Sequence, residues 1–227
     1  MFHKINMHKL LVNLLFLTNC SLPDIAYDVG RLSRYTHYPS IEHWDAIFIL
    51  LRYLKGTLDF GLSYCGYPIL EGYFDANWIF DTDEVKPTGG YLFTLVGGVV
   101  SSKSSKQTCI VRSTMEAELG VLEKTRFKFV WFRSLFIDMP LFINSIASNC
   151  IHCDCKAVIA RAKSKIYNGK SRHIRLRHKV LRQLIDNGIM SLDFVRFVRS
   201  LADPLTKPLA RRLISKTSWG IGLIPKL

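Results

Sequence analysis

The stretch EGYFDANW, residues 71–78, sets a carboxylate, Asp75, inside an apolar and aromatic run that otherwise reads as a buried strand. An isolated carboxylate in an apolar interior costs several kcal/mol or takes up a proton, so Asp75 needs a partner. Its surroundings fix the context. LSYCGY before it, and GGYLFTLV and GVVSSKSSKQT after it, keep a period of two and are joined by short turns bearing Gly or Pro. That pattern predicts an antiparallel meander.

On either side the period changes to that of a helix. Residues 23–37 and 40–55 carry apolar positions three and four apart, with Ser40, Glu42 and Asp45 making an acidic start and Gly56 a stop. From Ser113 a capped helix runs towards Pro140, with Glu116 in its first turn and Leu119, Leu122, Phe129 and Phe132 on its apolar face. IASNCIHCD then reads as an unbroken central strand, giving way at Asp154 to a short helix, CKAVIARAK. A basic helix over 171–187, a last strand SLDFVRFV, and a closing helix, LADPLTKPLARRLISK, interrupted early by proline, complete an α/β order behind a two-helix preface.

The 227 residues are 48% hydrophobic, enough for a real core and against overall disorder. A net charge of +13 and a pI near 9.6 point to a polyanionic partner. Residues 156–216 hold sixteen Lys and Arg against Asp186, Asp193 and Asp203, so the remainder of the chain sums to zero. Arg172, Arg175, Lys179 and Arg182 recur at three, four and three residues and form one helical stripe, with no acid interleaved to pair with it. A nucleic acid held through its phosphates fits that stripe, and a solvated charged face is the alternative. The other face has no Trp or Phe, which argues against a membrane.

Six scattered cysteines do not resemble a disulfide framework and suit a reducing compartment. On a strand Cys150 and His152 face one side and Cys153 and Cys155 the other, which argues against a zinc site. LLVNLLFL after Lys4 and Lys9 imitates a signal peptide, but it is short, lacks a small-residue cleavage site, and falls below the ~18 apolar residues of a membrane span. A cytoplasmic or nuclear location is expected; a secreted or membrane-attached basic protein is the competing reading.

Asp75, Glu118, Asp154 and Asp203 stand where strands end or helices begin. Taken singly, each is more often a turn or helix cap than a ligand; the four together, in this order of elements, reverse that. Neither Asp75 nor Asp154 has a cation beside it in the sequence. Carboxylates gathered without Arg or Lys suit a hard divalent metal such as magnesium.

YFDANW, STMEAEL, IHCDCKAVIA and LADPLTK resemble the four active-site blocks of the ribonuclease H domain of copia-type retrotransposon Pol polyproteins. SKSSKQTCIVRSTMEAE and NGKSRHIRLRH agree with it, and LTNCSLPDIAYDVGRLSRYTHYP resembles the tail of that family's reverse transcriptase. The resemblance runs from about residue 11 to the C-terminus. It implies a ribonuclease H-like mixed five-stranded sheet, its first three strands antiparallel and flanked by helices, with a short helical N-terminal extension. It divides the chain into a reverse-transcriptase remnant, residues 1–62, and a ribonuclease H-like domain, 63–227.

Carried over position by position, Asp75, Glu118, Asp154 and Asp203 are the catalytic, metal-binding quartet for two Mg2+ ions, with Mn2+ able to substitute. STMEAEL offers two glutamates; Glu118 is preferred, with Glu116 and His173 as auxiliary candidates. The implied reaction is hydrolysis of the RNA strand of an RNA–DNA hybrid, one ion activating water and the other steadying the leaving oxygen about 4 Å away. RNA would be told from DNA by 2′-hydroxyl contacts.

The resemblance also has gaps. No tyrosine is followed by paired aspartates, which excludes polymerase activity. Leu22 replaces the arginine usual before Pro-Asp, Ser102 stands where a tryptophan is common, FVRS (197–200) replaces a polar loop, and Arg126 and Lys128 replace acids. A catalytically inactive nucleic-acid-binding relic is therefore the alternative function. Integrases, which share the fold, lack a match to LADPLTK.

Overall fold

The computed structural model describes residues 6–78, 86–108, 111, 113–139, 149–166 and 172–226; the side chains of Asn149, Arg172, His173 and Ile174 lie outside that description. Its centre is a five-stranded sheet of β2 (Leu70–Asn77), β3 (Thr88–Leu95), β4 (Gly98–Lys106), β5 (Asn149–Cys153) and β6 (Ser191–Phe194), in the order β4-β3-β2-β5-β6. β2, β3 and β4 pair antiparallel, while β5 joins β2, and β6 joins β5, in parallel. This is the ribonuclease H-like mixed sheet that the resemblance implied. The β3–β4 hairpin turns on Val96 and Gly97, both at positive φ, the two-residue geometry that matches strand twist.

The alternation of β2 splits the core. Leu70, Phe74 and Ala76 face helix α4 (Thr114–Ile137) with Phe93, Phe129, Phe132, Ile151 and Leu192. α5 (Lys156–Lys163) and α6 (Arg172–Asp186) pack on that face through Val158, Ala162 and Leu181. On the other face Tyr73 and Leu92 meet Leu205, Ile221 and Leu223. A third cluster joins α1 (Met7–Cys20), α2 (Ala26–Leu32) and α3 (Ile41–Lys55) through Leu11, Val29, Ile47 and Leu50.

Several sequence expectations need correction. LSYCGY is not a strand of the meander: Gly66 sits at φ +142° and Pro68 offers no N–H, so the run breaks. What pairs is β1 (Phe60–Leu62), antiparallel to β7 (Leu223–Pro225), a two-stranded sheet too short to announce itself by alternation. The strand predicted as central, β5, is interior but next to the edge strand, and β2 takes the middle. The closing helix is two pieces, a 3-10 turn (Asp203–Leu205) and α7 (Arg211–Gly220), separated by Pro208. Among the described residues no helix is long and apolar enough to cross a membrane.

Consecutive glycines in β3 set how closely neighbours approach the sheet. A Cβ on Gly89 would lie 2.3 Å from Val121 of α4 on one face, and one on Gly90 would lie 2.5 Å from Leu205 on the other. Gly90 is also the register partner of Asp75. The bare strand therefore lets the turn carrying Asp203 settle directly over Asp75.

Candidate active site

Asp75 leaves the middle strand on the face away from α4 and is almost wholly buried. The Thr206 hydroxyl donates a hydrogen bond to its Oδ2. Thr206 belongs to the turn Asp203–Leu205 and its exit, closed by Leu205 N–H to the Ala202 carbonyl at 3.0 Å and Thr206 N–H to the Asp203 carbonyl at 3.1 Å. Ser104 of β4 anchors the turn by donating to the Leu205 carbonyl at 2.6 Å. Asp154 directly follows the carboxyl end of β5, the parallel neighbour of β2. One carboxylate oxygen from each of Asp75, Asp154 and Asp203 lies within 4.8 Å of the others.

Glu118 closes the site from α4. β5 runs beside β2 only as far as Tyr73, so the Ala76 N–H lacks a strand partner; Glu118 Oε1 accepts it at 3.1 Å. Glu118 Oε2 is buried with no hydrogen-bond partner. Glu116 instead sits in the first turn, where its N–H donates to the Ser113 cap at 3.2 Å.

The expectation of acids without a cationic neighbour is corrected by Lys207. Its Nζ lies 3.3 Å from Asp75 Oδ2 and 3.3 Å from Asp203 Oδ1, and 4.3 Å from the centre of the Phe197 ring. Sequence reading missed it, although its position four residues after Asp203 in LADPLTK was the available signal.

One ammonium does not balance four carboxyl groups. Burial and the neighbouring Asp75 push Glu118 up to about 9, against the Ala76 hydrogen bond. The same two causes raise Asp203 to about 7 and raise Asp154, with Lys207 opposing both. Burial alone would lower Lys207, but Asp75 and Asp203 hold it above its ordinary value. The donor set is all hard oxygen, crowded and undercompensated, with an orphaned buried oxygen on Glu118. These residues fit a divalent cation of the magnesium class.

The basic stripe is placed only in part. α6 packs against α4 and α5, with Arg175, Arg177 and Lys179 exposed; Arg172 and His173 fall outside the described side chains. Arg182 pairs with Asp186 at 3.0 Å and donates to the Lys163 carbonyl at 2.7 Å, correcting the expectation of a stripe without an acid partner. Asp186 ends the helix, one turn on from Arg182. His178 is buried, its Nε2 2.8 Å from the Arg161 carbonyl. Cys150 and His152 face one side of β5 with Asp193 and Glu71, while Cys153 lies in the core on the other.

No protein-family profile matches the sequence. It is 34% identical over 88% of its length to the Retrovirus-related Pol polyprotein from transposon TNT 1-94 of Nicotiana tabacum. It is equally similar, 34% over 89%, to that from transposon RE2 of Arabidopsis thaliana. It spans only 15% and 14% of those polyproteins. Over 52% of the chain it is 38% identical to Secreted RxLR effector protein 161 of Plasmopara viticola, covering 84% of that protein. Among solved structures it is similar to LC11-RNase H1 in complex with RNA/DNA hybrid, at 12% identity and a TM-score of 0.44, covering 60% of this chain and 93% of that one.

Proposed function

This chain belongs to the copia-type retrotransposon Pol polyproteins, and on that premise we propose that it is their ribonuclease H-like endonuclease, hydrolysing the RNA strand of RNA–DNA hybrids. One observation carries the reading: acids from residues 75, 154 and 203, on separate elements, present oxygens within 4.8 Å of one another. Residues 1–62 are read as the tail of the reverse transcriptase, and residues 63–227 as the nuclease domain.

Asp75, Asp154, Asp203 and Glu118 would hold two magnesium ions, which supply Lewis-acid activation of water and charge stabilisation at the leaving oxygen. The chain's own contribution is positioning. Thr206 fixes the Asp75 carboxylate, the Ala76 N–H fixes Glu118, and the Ser104 anchor fixes the turn bearing Asp203. Low exposure keeps competing water from Asp75, Glu118 and Asp203, while Asp154, only half-buried, is the acid of the four most open to solvent. The exposed cations of α6 would take phosphates of the hybrid. A cytoplasmic or nuclear setting suits that substrate, and a fluorescent fusion tests it.

Purified protein with Mg2+ is expected to cut the RNA strand of a hybrid, and chelation to stop it. The relic reading draws on Lys207, whose ammonium occupies two of the acids. Hybrid binding without cleavage at any Mg2+ or Mn2+ concentration would select that reading.

Arg175→Ala with Lys179→Ala is expected to weaken hybrid binding several-fold at low salt. The slope of log affinity against log salt should become shallower by roughly one for each phosphate that is no longer neutralised. Filter binding across a salt series measures both.

The raised carboxyl groups also give a pH dependence. Their folded values exceed their unfolded ones, so the metal-free fold binds more protons than the unfolded chain above the ordinary carboxylate range. The contribution of these groups to stability in EDTA is therefore full below about pH 4 and is lost as pH rises towards Asp203, at about 7, and Glu118, at about 9. A cation must displace those protons, so Mg2+ affinity rises over the same window. Thermal melts at pH 5 and pH 9, with and without Mg2+, should show the EDTA curve falling and Mg2+ restoring it.

A further inference from the structure

The Lys207 ammonium sits where a cation serving the acids would be needed, and its surroundings give it a second place to rest. Nζ is shared equally between Asp75 Oδ2 and Asp203 Oδ1, at 3.3 Å each, and so stands as a counter-charge among three crowded carboxylates. Its side chain is 23% exposed, and the ring of Phe197 lies 4.3 Å from Nζ and is itself 47% exposed. Phe197 begins a 3-10 turn (Phe197–Arg199) in the loop before Asp203, so ring and acid are carried on one short segment. A cation over an aromatic face keeps part of its electrostatic stabilisation without a carboxylate. Like charges in so small a space repel strongly, so an ammonium and a divalent cation cannot both hold the same two oxygens.

We propose that Lys207 is a built-in counter-cation: it holds Asp75 and Asp203 in register in the metal-free protein, and withdraws along the Phe197 ring when a divalent cation takes those oxygens. The inference rests on reading the acids as a divalent-metal site, and it makes Lys207 a positioning residue.

The test uses the full chain with Mn2+ as probe, followed by calorimetry and by electron paramagnetic resonance of the free ion. Lys207→Met keeps the length of the stem and removes the charge. It is expected to bind Mn2+ at least about tenfold more tightly than wild type, to melt lower in EDTA, and to recover when Mn2+ is added. A side chain that merely packs would lower both melts equally and leave Mn2+ affinity alone, and that result overturns the proposal. Phe197→Ala, a surface change, removes a ring contact that Nζ already makes in the metal-free protein and would rely on once displaced; it should lower the EDTA melt only slightly and weaken Mn2+ binding about two- to threefold. Unchanged Mn2+ binding by Phe197→Ala would overturn the proposal even if Lys207→Met failed to fold. If neither wild type nor Lys207→Met bound Mn2+, the metal-site reading itself would fall, and this inference with it.

Discussion

Asp154→Asn is expected to reduce cleavage of the RNA strand by at least about a thousandfold, roughly 4 kcal/mol of barrier. Hybrid affinity should stay within a factor of about two and the fold should be intact. The amide has the shape of the carboxylate, and Asp154 is only half-buried after β5, so packing is spared. What is removed is one anionic oxygen from a cluster whose members lie within 4.8 Å. The direction of the stability change separates chemistry from damage. Burial and the charge of Asp75 raise Asp154, so removing its charge relieves repulsion, and the variant should melt no lower than wild type in EDTA. Single-turnover cleavage and a thermal melt on the same preparation measure both. Loss of activity together with a lower melt would point to a structural Asp154.

Gly90→Val is expected to cost about 3 kcal/mol of stability and to abolish cleavage, although it alters no acid and no cation. A Cβ there would stand 2.5 Å from Leu205 Cβ and 3.1 Å from the Thr206 methyl, with the Leu205 backbone at 3.3 Å. Backbone cannot yield as a flexible side-chain end can, so the whole turn must move. That turn carries Asp203, Thr206 and Lys207, and Gly90 is the register partner of Asp75, so displacement separates the acids of the site. Denaturant unfolding should show a lower midpoint at an unchanged slope, and Mn2+ affinity should fall with it. Gly90→Val with normal stability and normal Mn2+ binding would remove the argument that bare backbone builds this site.

Both variants bear on what the residues reveal before any fold is seen. A carboxylate in EGYFDANW announces a need for a partner, because burial of charge is costly whatever surrounds it, and alternation on either side shows the strand. The long helix from Ser113 is equally legible, from its cap and its apolar repeat. Lys207 was hidden because a cation lying in space between two acids is adjacent in sequence to only one of them. β7 was hidden because three residues cannot display a period, and its partner, β1 (Phe60–Leu62), lies far away in the sequence. LSYCGY has the alternation of a strand, but Gly66 at positive φ and Pro68 without an N–H override it. At Arg182 the partner, Asp186, lies at the end of the helix, beyond the last cation of the stripe.

The central claim is that folding gathers these acids so that a divalent cation can neutralise them. The most direct measurement is anomalous diffraction at the manganese edge from crystals of the wild-type protein soaked in Mn2+ near pH 8. Density bounded by Asp75, Asp154, Asp203 and Glu118, with Lys207 Nζ drawn away from Asp75 and Asp203, is the predicted result. Full soaking with no anomalous peak among those side chains, and Lys207 still seated between Asp75 and Asp203, would contradict it.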